Sequence, residues 1–248
     1  SPRHDVRLGD VVVGVPPAGA GDEGEGVQGG VFQYDYGENV QGERFRHTGC
    51  VYQAPAILRA AVDVLRAEYD AGEEGKRTHR WLGEAVEEVL ARRPRLRGRF
   101  GRPDASEDRL YKPETLHPLG DKAGCATLCG DDPATMVARS ARAEGGEVEV
   151  HYGVIASSNT LMKNARERDR MAAERGVACF EMEAAAAAGH VPCLVVRGVC
   201  DYADSHKKKG WQGFAALAAA AYAREVLRRV PPREVEAERP AWEVLGER

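Results

Sequence analysis

The stretch Cys179-Phe180-Glu181-Met182-Glu183-Ala184, continued through Val195-Val196-Arg197-Gly198-Val199-Cys200-Asp201-Tyr202-Ala203-Asp204, decides how this chain is read. Val177 to Phe180 is a brief apolar run. Glu181 to Gly189 opens an alanine-rich helix that Gly189 and Pro192 stop. Cys193 to Cys200 is a second apolar run, β-branched and long enough for a buried strand. A connection this short suits a tight right-handed crossover between parallel strands. Glu183 and Asp201 then follow successive strands and face one carboxyl edge of the sheet, where open α/β folds bind ligands. Two acids on one edge can divide labour: one stays ionised to hold hydroxyls, the other donates a proton. Each acid also has a structural reading. Glu181 and Glu183 fit the first turn of a helix, and Asp201 and Asp204 fit turn or N-cap positions.

The joint pattern resembles the signature of the nucleoside phosphorylase and nucleosidase superfamily, which includes purine nucleoside phosphorylases, uridine phosphorylases and methylthioadenosine nucleosidases. Its fungal branch, often fused to ankyrin repeats or signalling ATPase modules, reads much like Phe180-Glu-Met-Glu-Ala, His190-x-Pro-Cys-Leu-Val-Val-Arg-Gly-Val-Cys-Asp-Tyr-Ala-Asp-Ser-His-Lys and Trp211-Gln-Gly-Phe. Arg7-Leu-Gly-Asp-Val-Val-Val, Gly30-Val-Phe-Gln-Tyr-Asp-Tyr-Gly and Val40-Gln-Gly-Glu-Arg-Phe add to the likeness. The resemblance implies an α/β three-layer sandwich with a mixed central sheet, phosphorylase/hydrolase-like and missing its first strands. It covers roughly residues 2 to 230. The family's preceding segment, with its glycine-rich turn and phosphate-binding groups, is not expected among these residues. Glycine-rich Gly19 to Gly30 lacks the context and lysine of a phosphate loop. The chain starts at Ser1 without methionine, so a fragment, a processed product or an incomplete gene model is expected. A sheet without its first strands would leave a flank unpaired near Asp10 to Val15 or its neighbours, inviting completion by another chain.

Further residue roles follow from the same resemblance. It implies cleavage of the N-glycosidic bond of a purine nucleoside or nucleotide, by phosphorolysis or hydrolysis. Asp201 is the expected general acid at the purine N7, its burial beside Cys200 and Tyr202 favouring the protonated form. Glu183 is the expected anchor of the ribose hydroxyls, with Met182 packed under the sugar and Glu181 a further candidate. Asn159, Leu161 and Met162 match positions that contact the base; Ser158 stands where a glycine is usual. Helix core packing is the other reading of Leu161 and Met162. Arg197 suits an ion pair better than a phosphate contact. No cofactor is expected, inorganic phosphate being a possible co-substrate. The expected partners are a small-molecule purine nucleoside and further copies or domains, as a homo-oligomer or part of a larger fusion protein. The alternative is a catalytically impaired nucleoside-binding or signalling module. A different α/β enzyme using the Glu183/Asp201 pair, such as a glycosidase, lacks the base-site likeness.

Outward from that centre the pattern is α/β. Asp10 to Val15 and Val31 to Tyr36 read as strands around a glycine- and proline-rich loop. Pro55 to Tyr69 and Trp81 to Ala91 carry apolar residues at helical spacing. Arg92 to Asp104 reads as a solvated loop, and residues 92–146 as an irregular insertion. Within it, His117, Cys125 and Cys129 could form part of a zinc site. Only three ligands are visible and Cys-x-x-x-Cys departs from the usual spacing, so no metal is assigned. Glu147 to Ser157 alternates as a strand does. Leu161 to Glu174 and Gly210 to Val230 read as helices, and Arg233 to Arg248 as a charged tail beyond a single domain at 1–230.

The chain has 248 residues, a net charge of -4 and six scattered cysteines. The mild charge excludes neither class of enzyme but gives no footprint for nucleic acid or an anionic membrane. No run approaches a membrane span, and a signal peptide is not expected from the opening residues. Reduced, buried cysteines favour an intracellular, cytoplasmic location.

Overall fold

The computed structural model describes residues 4–16, 29–48, 51–71, 80–118, 123–142, 148–206, 209–240, 243 and 246. The glycine-rich stretch 17–28, and the last part of the expected tail, lie outside the described residues. In chain order the strands are β1 (Val11–Gly14), β2 (Val31–Gln33), β3 (Gly37–Glu38), β4 (Arg46–His47) and β5 (Val51–Tyr52). Helices α1 (Ala56–Asp70), α2 (Arg80–Arg92), α3 (Arg97–Phe100) and α4 (Cys125–Leu128) follow. The remaining elements are β6 (Val150–Ser157), α5 (Ala165–Arg175), β7 (Val177–Glu181), α6 (Ala184–His190), β8 (Val196–Gly198), α7 (Gln212–Arg228) and α8 (Pro232–Ala237).

β6 is the axis. Its first half pairs in parallel with β1, Val11 opposite Val150 and Gly14 opposite Gly153. Its second half pairs in parallel with β2 and β7. β1 and β2 therefore succeed one another along the same strand, and they touch where they exchange. A Cβ at Gly30 would stand 2.0 Å from the Gly14 carbonyl oxygen, so only glycine lets the two backbones meet there. β5 and β8 add antiparallel margins, giving the order β5-β2-β6-β1-β8 with β7 on the other side of β6. The result is the expected α/β fold with a mixed sheet, here curled and flanked by helices.

Parallel strands are covered on both faces, so their residues read as continuous apolar runs. Val11, Val12 and Val13 are all fully buried. Along β6, Ile155 enters the main core, while Val154 and Ala156 join a second cluster with Phe32, Tyr34, Met171 and Val177. Neighbouring strand residues face opposite sides. One face thus carries α1, α2 and α7, through Val62, Leu65, Leu82, Leu90, Phe214 and Tyr222; the other carries α5, through Met171. α5 begins at Ala165 rather than at Leu161, because the Asn164 side chain accepts from the Arg166 and Glu167 amides and caps it there.

Three expectations change. The run from Cys193 to Cys200 gives a strand only over Val196–Gly198; it is half-buried and antiparallel to β1 at the sheet margin, with α7 against it. The crossover between parallel strands is therefore not formed. β1 has partners on both sides, and among the described residues the sheet ends at its neighbour β8, a position that the expected flank at Asp10 to Val15 or its neighbours included. The Arg92 to Asp104 segment is not a plain loop: a 3-10 turn at Pro94–Leu96 leads into α3, which packs on α7. The sequence signal was dominated by arginine and glycine, and the packing is backbone to backbone at Gly213, where a Cβ would meet the Arg99 carbonyl oxygen at 1.9 Å.

Candidate functional site

The turns that follow β6 and β7 emerge side by side, because Ser157 and Glu181 are register partners at the ends of parallel strands. The Ser158 amide donates to the Glu181 carbonyl at 3.3 Å, and the Ala185 amide donates to Ser157 Oγ at 2.9 Å. This places Asn159, Leu161 and Met162 beside Glu181, Met182 and Glu183 at one carboxyl edge. Glu181 is buried. Its Oε2 accepts from the Glu183 and Ala184 amides, both at 2.8 Å, and so caps the start of α6. Its Oε1 is buried with no hydrogen-bond partner among the described residues, an acceptor with capacity for a donor.

Around that acceptor the surface is open. Met182 and Leu161 are exposed. Met162 packs against the Phe32, Tyr34 and Met171 cluster, and the Tyr34 hydroxyl donates to the Thr160 carbonyl at 2.8 Å. The Asn159 amide donates to Asp35 Oδ2 at 2.8 Å. Partial burial pushes the Asp35 carboxyl up, but this hydrogen bond and others to Gln33 and Ser158 hold it below its ordinary value. Glu183 is exposed, and its Oε2 lies 3.1 Å from an Arg197 guanidinium nitrogen. Arg197 is thus an ion-pairing residue, as its position inside the strand suggested, and its partner is the expected ribose anchor.

Asp201 lies elsewhere. β8 runs opposite to β1, so Gly198 pairs with Val11, which pairs with Val150 at the start of β6. Glu181 pairs with Ser157 at the end of β6. The two carboxylates therefore sit toward opposite ends of the sheet, and the expectation that Glu183 and Asp201 share one edge is corrected by the antiparallel direction of β8. Asp201 lines a cleft between β7, α5 and the chain leaving β8, together with Cys179, Phe180, Arg168 and Ala172. Arg197 reaches both places, lining this cleft while pairing with Glu183.

The Asp201 turn is tightly framed. Asp201 Oδ1 accepts from the Ala203 amide at 2.9 Å, and Ala203 has a φ of +52°, which an alanine adopts at a cost. Arg168 donates to the Tyr202 carbonyl at 2.8 Å. The Tyr202 hydroxyl donates to Asp108 and accepts from Arg139 at 2.7 Å. Burial, and next the Asp108 charge, push the Tyr202 phenol far above its usual range.

Sequence reasoning missed a second charged assembly. Asp10 is fully buried and accepts from the Arg7 and Glu149 amides, from both terminal nitrogens of Arg142 at 2.6 Å, and faces His151 Nε2 at 3.0 Å. Burial pushes its carboxyl up; the hydrogen bonds from Arg142 and His151 outweigh this and hold it below the ordinary range. A lone acid directly before Val-Val-Val was the only local signal, since its side-chain partners Arg142 and His151 lie more than 130 residues away.

With this geometry in hand, comparison with known proteins gives two findings. The family model of the phosphorylase superfamily matches residues 96–230. A nucleotide-binding leucine-rich repeat (NLR)-like protein of Hyaloscypha variabilis is 37% identical over 239 residues, covering 96% of this chain and 21% of that protein. The chain thus spans about a fifth of the length of that relative.

Proposed function

The chain belongs to the phosphorylase superfamily, and from that premise we propose that it binds a purine nucleoside or nucleotide and cleaves its N-glycosidic bond as one domain of a larger protein. The observation that supports this most is the juxtaposition of Glu181-Met182-Glu183 with Asn159-Leu161-Met162 at the ends of parallel β6 and β7. Glycosidic cleavage leaves positive charge on the sugar and negative charge on the base. Glu183 accepts hydrogen bonds from the ribose 2′- and 3′-hydroxyls, Glu181 offers its free oxygen to the same sugar, and Met182 lies under the ring. The base lies toward Asn159, Leu161 and Met162. Asp201 gives its proton to N7 as the C1′–N9 bond breaks, and the bond's electron pair stays on the base. An oxygen of phosphate or water then bonds to C1′, and the proton that it sheds passes to solvent, from which the Asp201 carboxylate is reprotonated. Asp201 and Glu183 stand toward opposite ends of the sheet in the structure, so the proton transfer is the step of this proposal that the geometry does not itself assemble; Arg197 lines the Asp201 cleft and pairs with Glu183.

A second reading has its own observation. Glu183 is tied to Arg197, and Asp201 stands at the far end of the sheet. That arrangement favours nucleoside binding without turnover, a sensing module inside a multidomain protein. The name of the Hyaloscypha relative fits such a setting.

Incubation with adenosine, inosine, methylthioadenosine and AMP, with and without phosphate, separates the two by chromatography of the products. Free base only with phosphate means phosphorolysis, and free base in either condition means hydrolysis. Saturable binding with no free base supports the module. Neither binding nor product with any of the four would overturn both readings.

A further inference from the structure

We propose that this chain carries a four-coordinate zinc site, made by His117, Cys125, Cys129 and His206. The inference does not depend on the nucleoside reading, since none of these groups lines the sites described above. The ligand atoms of His117, Cys125 and Cys129 all lie within 4.8 Å of one another. Both sulfurs approach the same nitrogen: Cys125 Sγ is 3.6 Å and Cys129 Sγ is 3.4 Å from His117 Nδ1. A thiolate at about 2.3 Å and an imidazole nitrogen at about 2.05 Å from one tetrahedral zinc ion stand about 3.5 Å apart. A single imidazole nitrogen has one lone pair and cannot serve two thiols equally, whereas one ion can hold all three.

His206 supplies the fourth position. It is 9% exposed, and among the described residues neither ring nitrogen has a hydrogen-bond partner within 3.5 Å. A buried imidazole left in this way calls for a ligand. Its Nδ1 faces Asp204 Oδ2 at 3.6 Å, which leaves Nε2 as the donor toward the ion. A carboxylate behind a ligating histidine fixes its tautomer and direction in zinc proteins. The His117 and His206 rings stand 6.0 Å apart and nearly perpendicular, at 81°. Two imidazoles on one zinc have centroids about 5 Å apart; His206 lies outside the converged trio and would have to move in by about 1 Å to become the fourth ligand. The surroundings hold the parts in place. Tyr111 stacks on His206 at 4.1 Å and its hydroxyl donates to the Gly130 carbonyl, while the His117 amide donates to Ser205 Oγ at 3.0 Å.

Two thiolates and two imidazoles suit zinc over calcium or magnesium. On binding, each thiol releases its proton and the two histidines bind neutral, so the complex carries no net charge. With four protein ligands there is no open position for substrate, and the site is structural. It would pin the irregular segment between residues 101 and 142 to the Asp204–His206 turn, three residues beyond Asp201.

The test is metal analysis of the reduced, full chain, joined to titration with cobalt(II). The expected result is about one zinc per chain, and a cobalt spectrum with intense visible bands of a tetrahedral ion and a near-ultraviolet thiolate band. Cys125→Ser, Cys129→Ser, His117→Ala and His206→Ala should each weaken binding by more than about 100-fold, and Asp204→Asn by about 10- to 100-fold. Cys193→Ser should leave it unchanged. Absence of a cobalt–thiolate spectrum in the folded wild-type chain would overturn the proposal, as would a Cys125–Cys129 disulfide persisting under reductant. His206→Ala with the wild-type spectrum and affinity would overturn the four-ligand site. The wild-type titration decides even where a variant does not fold.

Discussion

At the scale of the residue, the chain separates acids that hold the fold from acids that face a ligand. Asp10 belongs to the first kind. Removing one partner of a buried, hydrogen-bonded pair leaves the other charged and unpaired, which costs about 3–5 kcal/mol. Asp10→Asn should lose about that much in urea unfolding at neutral pH; a loss below about 1 kcal/mol would contradict the central role of the Arg142 contact. The pH dependence has a definite direction. The carboxyl sits below its unfolded value of about 3.9, so its contribution is present above that pH and is lost as pH falls through the folded value. Wild-type stability should therefore drop more steeply below about pH 4 than that of Asp10→Asn. On the proposed function, Asp201 and Glu183 belong to the second kind. If base is released, Asp201→Asn should lower turnover about 10²-fold, the usual scale of general acid catalysis. Glu183→Gln should raise KM as well, and its ion pair with Arg197 contributes only about 0–1 kcal/mol to stability. Wild-type rates in either variant would remove that residue from the mechanism.

At the scale of the element, β8 carries the main lesson. Its run, Cys193 to Cys200, was legible as a strand, but only Val196–Gly198 forms one. Its direction was not legible, because an apolar run reads the same in a parallel or an antiparallel neighbour. The glycine within it shows what it packs against. A Cβ at Gly198 would stand 2.0 Å from the Ala215 carbonyl oxygen, in the backbone of α7. Neither backbone can yield without separating strand from helix. Gly198→Ala should destabilise by about 1–3 kcal/mol, the usual range for overpacking. Gly210→Ala, where a Cβ meets nothing within 4 Å, is the matched control. Equal melting temperatures for the two variants would show that α7 does not sit against β8 as closely as the structure has it.

At the scale of the whole molecule, ligand binding and stability are linked. A nucleoside that binds the folded chain alone, held at 100 times its Kd, adds about 2.7 kcal/mol. For a chain of this size that raises Tm by about 5–10 °C. The shift should appear with a purine nucleoside and be lost in Glu183→Gln, whether or not base is released; a flat melting profile across all four candidate ligands would count against both functional readings. No described helix is long and apolar enough to cross a membrane. We propose that the chain forms homo-oligomers, as the family resemblance implies, and light scattering of the purified chain checks it.

Local pattern determined much of this protein. The all-valine run at Val11 to Val13, the helical spacing of α1 and α2, the alternation in β6 and the Glu-Met-Glu turn each depend on residues close in sequence, and each formed where its periodicity placed it. The motif pair also carried the family, since its residues and spacing are local. Three things were decided only by the tertiary structure. The direction of β8 set Asp201 and Glu183 apart, because strand polarity depends on which edge a strand joins. The burial of Asp10 depended on Arg142 and His151, brought to it from across the chain. The convergence of His117, Cys125 and Cys129 with His206 joined residues some 80 positions apart. Each is a long-range pairing that costs chain entropy to close, and no local pattern encodes which distant partner offsets that cost.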